Sequence, residues 1–170
     1  TALWPGSVPF AATTVATYER DGCYARNLTL PEHAGTHLDA PAHFVSGAAR
    51  TDELDPVSFL RPLVKLDVRP WVGDDERTAI GRDVIEELEA RDGRIATGDA
   101  VVLHTGWDAH VGDRDRYLGP DGTTAFPGLA LSGAELLVER GVAGVGIDTL
   151  STDAGHETAH VVHHRVLPSG

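Results

Sequence analysis

The chain has 170 residues, 41% of them hydrophobic, which predicts one globular domain with its own core and excludes a disordered chain. Its formal net charge of −12 argues against a nucleic-acid partner and against electrostatic docking on an anionic membrane. No apolar run approaches the ~20 residues that span a bilayer and no signal peptide is recognised, so we expect a cytoplasmic protein.

The front of the chain is predicted to be rich in strands. The opening WPGSVPF (4–10) is a turn-rich entry, and residues 11–20 have the β-rich composition and loose alternation of a strand. NLTL (27–30) predicts a second short strand. RPLVKLDV (61–68) alternates apolar and polar residues, which predicts a third strand.

Helices and strands alternate in the second half. Two amphipathic helices and two buried strands are predicted there: 83–91, 99–106, 132–140 and 141–148. Gly93 ends the first helix, and Ser132 is expected to cap the second. The order indicates an α/β fold with at least two crossovers. We expect Asp148 to end one of these strands and His104 to lie near the end of another. Strand ends are where α/β folds usually build their sites.

Four potential metal ligands crowd into eleven residues near the front: His33, His37, Asp39 and His43. On a straight strand the ends of this segment would lie about 33 Å apart, and a helix would turn the aspartate away from the first two histidines. Gly35 and Pro41 stand where a bend is needed. We therefore expect a short extended piece at 37–39, with the outer histidines curling in from either end.

The residue types indicate a metal site. Cys23 is the only cysteine, which excludes an internal disulfide and a cysteine-based zinc site, so any ion must rest on imidazole and carboxylate ligands. Such ligands suit Zn²⁺, Mn²⁺ or Fe²⁺, and a carboxylate can bridge two ions. Thr36 could hydrogen-bond a ligand. The alternative is a polar loop with surface histidines.

A second group of histidines lies near the end of the sequence: His156, His160, His163 and His164. Their spacing (i, i+4, i+7, i+8) predicts one face of a helix. Such a face can bind metal or lie half-buried, and the spacing leaves both possibilities open.

HAGTHLDAPAHF (33–44) has the spacing H-x-G-T-H-x-D-x-P-x-H, which resembles the signature of the cyclase family of metal-dependent hydrolases. That family includes bacterial kynurenine formamidase and isatin hydrolase. WPGSVPF resembles the family's W-P-G-D-P-P-F element, with Ser7 replacing the Asp and Val8 a Pro. Three more segments resemble family blocks in the same order: HTGW (104–107), FPGL (126–129) and GIDTLSTD (146–153). The resemblance covers nearly the whole chain.

The resemblance implies a role for each matching residue. The implied metal ligands are His33, His37, Asp39 and His163. Asp39 would bridge if two ions bind, and His43 would be the catalytic general acid/base. His163 is preferred over His164 as the C-terminal ligand by its distance from Asp153. The implied cofactor is a divalent metal, Zn or Mn, as one or two ions.

The resemblance also implies a fold and an assembly. The expected fold is a swivelling β/β/α domain with a β-barrel-like core flanked by helices, assembled as a homodimer or homotetramer. Two-metal members add a Glu in an E-N-L block further along, and the family's first strand precedes the W-P-G element. We therefore expect residues 1–170 to form a single domain that lacks N-terminal and C-terminal segments of a longer chain.

The implied activity is hydrolysis of a C–N amide bond in a small aryl formamide or cyclic amide. The ion would lower the pKa of a bound water toward ~7, and His43 would accept the proton and return it to the leaving nitrogen. Trp4, Phe10 and Trp107 are candidates for a wall against an aryl substrate, with core packing as their other role. Two alternatives stay open: a biosynthetic cyclase or dehydratase acting on a small carbonyl compound, and a catalytically inactive metal-binding module.

Overall fold

The structure is a computed structural model that describes residues 3–120 and 123–169. The chain divides into two compact units, Thr1–Leu38 and Asp39–Gly170, and each is taken by itself. Among the described residues, no helix has the length and apolar character required to cross a membrane.

The first unit is built on an antiparallel pair of strands, β1 (Ala11–Ala16) and β2 (Ala25–Thr29). A single helical turn, α1 (Tyr18–Asp21), connects them. The strand predicted at 27–30 is confirmed, with bounds two residues earlier at its start.

The strand predicted over 11–20 is confirmed only for its first part, because α1 follows it. The Asp21 carboxylate accepts a hydrogen bond from the Thr17 N–H at 2.9 Å. Gly22 ends the turn in the left-handed region, at φ 70°, which glycine adopts without a steric penalty. Local capping chemistry therefore ends a strand that apolar alternation alone would extend.

Three parallel strands form the central sheet of the second unit in the order β3-β5-β7. They are β3 (Leu63–Asp67), β5 (Ala100–His104) and β7 (Gly144–Ile147). A separate two-residue parallel pair joins β4 (Ala79–Ile80) to β6 (Gly128–Leu129). The three strands predicted for this part of the chain are confirmed.

The described helices of the second unit are α2 (Arg69–Val72), α3 (Arg82–Asp92), α4 (Arg114–Leu118), α5 (Leu131–Arg140) and α6 (Val161–Val166). Short 3-10 segments lie at Pro41–His43, Thr51–Glu53, Pro56–Phe59, Trp107–His110 and Leu167–Ser169. The two longest helices, α3 and α5, confirm the predictions at 83–91 and 132–140, and Gly93 ends α3 as expected. Parallel strands linked through helices confirm the α/β class.

Helices α3 and α5 pack against each other through apolar side chains. Four of these are at most 1% exposed: Ile85, Leu88, Leu136 and Leu137. Gly133 permits a close approach, because a Cβ there would lie 2.6 Å from the Ile80 carbonyl oxygen and 2.8 Å from Leu129 Cδ1. This packing forms the core beside the sheet.

The prediction that Ser132 caps α5 is wrong. Ala130 occupies the cap position and makes no side-chain hydrogen bond there. The Ser132 hydroxyl instead accepts a hydrogen bond from the Arg82 N–H at 3.3 Å, at the start of α3. A long-range contact therefore replaces the local cap.

One ion pair between the same two helices is largely buried. Arg140 donates two hydrogen bonds to the Glu89 carboxylate, at 2.9 and 2.7 Å, and the Glu89 side chain is 7% exposed. Glu89 also accepts the Ile95 N–H at 3.1 Å. The hydrogen bonds from Arg140 lower the pKa of Glu89 despite its burial.

The carboxyl ends of the central strands lie at one edge of the sheet. Asp67 pairs in register with His104 at the ends of β3 and β5, and Asp148 directly follows β7. The prediction that His104 and Asp148 lie near strand ends is confirmed. The described strands form small, open sheets, so the β-barrel-like core stays a prediction.

Candidate metal site

Three of the predicted site residues come together in the second unit: Asp39, His43 and His163. One ligand atom of each lies within 4.8 Å of the others. The first two stand at the start of the unit and the third lies on α6. The fold therefore brings the two ends of this unit to one site.

A bend at Pro41 positions the first two residues. Ala40 is extended, at φ −73° and ψ 155°, and Pro41 begins a 3-10 turn as its first residue. The His43 N–H donates to the Ala40 carbonyl at 2.9 Å. Proline's fixed φ suits the start of such a turn, so the predicted bend at Pro41 is confirmed.

His163 lies between two carboxylates. Its Nε2 is 3.4 Å from Asp39 Oδ2, and its Nδ1–H donates to Asp153 Oδ2. Asp153 is only 2% exposed. The same carboxylate accepts the N–H of Val162 at 2.8 Å and of His163 at 3.2 Å. The imidazole is therefore held at both of its nitrogens.

The two carboxylates change the acidity of His163. Burial alone would lower the pKa of His163, but the hydrogen bonds to Asp153 and Asp39 outweigh burial and raise it to about 9. Burial would raise the pKa of Asp153, and the hydrogen bonds from His163 and from backbone N–H groups lower it instead. Without a metal, His163 is therefore a cation at neutral pH, with one N–H facing each carboxylate.

We expect the metal-free chain to lose stability as the pH rises from about 6.5 to about 9. The folded chain holds the His163 proton more tightly than the unfolded chain, whose histidines titrate near 6.5. This stabilisation is complete below pH 6.5 and is lost as the pH rises through the folded value. Its size is about 3 kcal/mol. Urea unfolding of chelator-treated protein at several pH values measures it.

The matched comparison for this prediction is His163→Gln against His164→Gln, which changes an exposed histidine of the same helix. The first variant is expected to remove the extra loss of unfolding free energy at alkaline pH, and the second to keep it. An unchanged pH dependence in His163→Gln would assign the effect to another group.

Phe44 lies among the histidines of both groups. Its ring centroid is 4.7 Å from that of His43, 5.5 Å from His160, 4.8 Å from His163 and 4.9 Å from His164. The site therefore has an apolar side next to its imidazoles. Sequence reasoning did not single out this residue.

The prediction that the second histidine group forms one helical face is wrong. Helix α6 begins at Val161, so His156 and His160 precede it. His160 has φ 51° and is the one non-glycine residue with a positive φ in the described ranges. One of its ring nitrogens lies within 4.8 Å of ligand atoms of Asp153 and His163. A strained backbone thus starts the helix beside the site.

The other two predicted ligands, His33 and His37, belong to the first unit. Their ring centroids are 5.2 Å apart with the rings edge to face. The His37 Nδ1–H donates to the Gly35 carbonyl at 2.8 Å, which leaves the lone pair of the neutral ring on Nε2. Gly35 has φ 70°, so the predicted bend there is confirmed. Metal binding by these two histidines stays a prediction.

The three predicted substrate-contacting aromatic residues differ in burial. Trp4 and Phe10 of the first unit are exposed. Trp107 of the second unit is 1% exposed, and its Nε1–H donates to the Tyr117 carbonyl at 3.1 Å. The Arg116 guanidinium lies 4.9 Å above its ring. Trp107 therefore has the core-packing role, and substrate contact by all three stays a prediction.

A second cluster of ligand types lies at the sheet edge, formed by His104, Asp108 and Asp148. The Asp148 carboxylate accepts hydrogen bonds from the Thr105 N–H at 2.9 Å, the Thr105 hydroxyl at 2.6 Å and the Gly106 N–H at 2.8 Å. Asp148 thus fastens the end of β7 to the end of β5, which is a structural role.

The residue that sequence reasoning missed is Asp153. The sequence motif uses Asp153 only to choose His163 over His164, although Asp153 contacts that histidine directly. The available signal was a carboxylate at the end of GIDTLSTD, ten positions before a histidine. Together these residues offer imidazole nitrogens and carboxylate oxygens, the ligands that Zn²⁺ and Mn²⁺ take in proteins, so the donor set fits a divalent ion.

Comparisons with known proteins agree with this chemistry. Residues 3–154 match the Cyclase family model. An isatin hydrolase from Roseibium aggregatum is 34% identical over 148 residues, covering 83% of this chain and 56% of that relative. A kynurenine formamidase from Bacillus thuringiensis (strain Al Hakam) is 27% identical over 170 residues, covering 99% of this chain and 72% of that relative.

The fold is also similar to a solved structure. Isatin hydrolase A from Ralstonia solanacearum has a TM-score of 0.83 and 32% identity to this chain, with 96% of this chain and 66% of that one covered. The mixed α/β fold is therefore shared with that enzyme. The chain spans just over half the length of the Roseibium relative.

Proposed function

The chain belongs to the Cyclase family, and from this premise we propose that it is a metal-dependent amidohydrolase. Its proposed substrate is a small aryl formamide or cyclic amide, in which it cleaves a C–N amide bond. The observation that carries the proposal is the convergence of Asp39, His43 and His163 on one site. The names of the relatives, isatin hydrolase and kynurenine formamidase, supply the substrate class.

Asp39 and His163 would hold the metal in the second unit. His33 and His37 are proposed as further ligands, because residues 33–44 resemble the family signature. A divalent ion, when bound, lowers the pKa of a water and polarises a substrate carbonyl. The contact between His163 Nε2 and Asp39 supports this assignment. Once His163 loses its Nε2 proton, this nitrogen and the Asp39 carboxylate would offer a metal two neighbouring ligand atoms. We propose zinc or manganese, as one or two ions, with Asp39 bridging if two bind.

His43 would move the proton. It is exposed, and its ring centroid lies 5.9 Å from that of His163, so it reaches the site from the solvent side. A histidine changes charge near neutral pH, which allows it to accept a proton from water and return it to the leaving nitrogen. Its edge-to-face contact with Phe44 at 4.7 Å orients the ring.

The substrate would rest against apolar groups. Phe44 supplies an aromatic face beside His43 and His163, and an aryl ring pairs favourably with such a face. Trp4 and Phe10 are proposed to add to the substrate wall, together with Trp107 if its packing opens. We further propose a cytoplasmic homodimer or homotetramer that acts on a small molecule, with neither nucleic acid nor a membrane as its partner.

Metal removal tests the proposed function. Chelator treatment is expected to abolish hydrolysis of isatin and of N-formylkynurenine, and Zn²⁺ or Mn²⁺ added back is expected to restore it, because the ion provides several kcal/mol of transition-state stabilisation. The metal content per chain is measured on the same samples. Full activity in rigorously metal-free protein would refute the metal mechanism.

The family's name favours one other activity, a cyclase or dehydratase that acts on a small carbonyl compound. The same donor set would polarise a ketone as well as an amide. Product mass separates the two, because hydrolysis adds one water to the substrate. Metal binding with no turnover of any amide, lactam or lactone would instead indicate an inactive metal-binding module.

A further inference from the structure

Asp153 is a buried carboxylate with an unusual set of partners. Its Oδ1 accepts the Val162 N–H, while its Oδ2 faces both the backbone N–H and the Nδ1 of His163. It lies at the end of the segment 146–153, whereas its partners lie in α6. The Asp153 side chain therefore contacts both the backbone at the start of α6 and the ring of His163.

The first contact is with the start of α6. The opening N–H groups of a helix have no partner within the helix, and a carboxylate beside them both accepts their hydrogen bonds and complements the helix dipole. His160, at the cap position, makes no side-chain cap hydrogen bond. Asp153, which lies outside the helix, accepts the N–H groups of Val162 and His163 instead and so fixes the backbone that carries His163.

The second contact is with the ring of His163. A neutral imidazole carries one N–H and one lone pair, and the partner of one nitrogen decides where the lone pair lies. When His163 gives up its Nε2 proton to bind a metal, Asp153 still accepts the hydrogen bond from Nδ1, so the lone pair falls on Nε2, the nitrogen that faces Asp39 at 3.4 Å. The ring is therefore turned and protonated so that Nε2 is the ligand atom.

We infer that Asp153 is the positioning residue of the metal site, which selects the Nε2 ligand of His163 and anchors the helix that presents it. The inference rests on the proposed metal binding by Asp39 and His163. In this inference Asp153 orients the ligand histidine and is not a ligand itself. A carboxylate behind a ligating histidine typically contributes a factor of 10–100 in metal affinity.

Asp153→Asn is the informative substitution. The amide oxygen can still accept the Val162 N–H, which preserves most of the cap. Its NH₂ group then faces His163 Nδ1 and donates to it, so the proton of the neutral ring moves to Nε2. The variant thus keeps the shape of the site and reverses the tautomer, which blocks the ligand atom.

Glu89→Gln provides the matched control. Glu89 is also a buried carboxylate with three hydrogen-bond donors, from Ile95 and Arg140, and it lies outside the groups of potential metal ligands in the described chain. Both substitutions remove one buried negative charge. A loss of metal affinity caused only by general destabilisation would appear in both variants.

The experiment measures Zn²⁺ affinity by competition with a chromogenic chelator, using the full chain and both variants. We expect Asp153→Asn to weaken Zn²⁺ binding about 10–100-fold and Glu89→Gln to stay within about threefold of the wild type. Equal affinity in all three proteins, or equal losses in both variants, would overturn the inference. A wild-type chain that binds no Zn²⁺ would refute the proposed function instead.

A second measurement covers the case in which Asp153→Asn does not fold. Nitrogen NMR of the histidine rings in Zn²⁺-loaded wild-type protein reports which nitrogen of His163 holds the proton. We expect a protonated Nδ1 and a metal-bound Nε2. The opposite arrangement would overturn the inference without use of any variant.

Discussion

Replacing His43 with alanine is expected to lower kcat by about 10²–10⁴-fold while leaving the metal content unchanged. The two effects separate because His43 carries the proton in the proposed mechanism, whereas Asp39 and His163 hold the ion. The side chain is exposed, so its loss leaves no core cavity. Steady-state kinetics on isatin, with metal analysis of the same preparations, measures both quantities.

His164→Ala is the control for this variant. His164 contacts the same Phe44 ring, at 4.9 Å, but lies on the exposed side of α6 and outside the groups of potential metal ligands found in the described residues. We expect its kcat to stay near that of the wild type. If His43→Ala also retained its turnover, the proton would have to move through another group, with His160 as a candidate because its ring contacts both Phe44 and His163.

Local chemistry made parts of the site predictable. The sequence predicts bends at Gly35 and Pro41, and the structure has both. A positive φ favours glycine and proline fixes φ at about −65° in any fold, so these bends are local properties. The amphipathic helices α3 and α5 were equally accessible, because their apolar periodicity is a property of the sequence alone.

Other parts depend on contacts that no local pattern contains. Ser132 has the sequence context of a helix cap, yet its hydroxyl is engaged by the Arg82 N–H, fifty positions away. The histidines at 156–164 have helical spacing, yet the helix starts only at Val161, where Asp153 accepts the N–H groups of its second and third residues. In both cases a hydrogen bond from outside the helix accompanies a departure from the local preference.

The role of Asp153 illustrates the same limit at the level of chemistry. Nothing in the spacing of Asp153 and His163 says that the carboxylate will contact Nδ1 rather than Nε2, because a ten-residue separation is compatible with many loop paths. An isolated bridge between Leu129 and Asp153 places the carboxylate beside β6, a position that depends on a distant part of the chain. Only the tertiary structure therefore distinguishes a ligand from the residue that orients it.

Replacing Asp39 with asparagine is expected to remove both metal and turnover. Its carboxylate faces His163 Nε2, so the variant exchanges an anionic ligand for a neutral amide that coordinates divalent ions more weakly. Loss of the ion removes several kcal/mol of transition-state stabilisation, which corresponds to about 10³-fold in kcat/KM. Metal content after dialysis and kcat/KM on isatin measure the two losses together.

Asp108→Asn is the control for this last substitution, since Asp108 is an exposed carboxylate beside His104 at the sheet edge. We expect it to keep the wild-type metal content and activity. Excess Zn²⁺ should partly restore the Asp39→Asn variant, because a weakened ligand set still binds at higher concentration. Full metal content with lost turnover would instead place Asp39 in proton transfer, and unchanged kcat/KM would exclude it from the site.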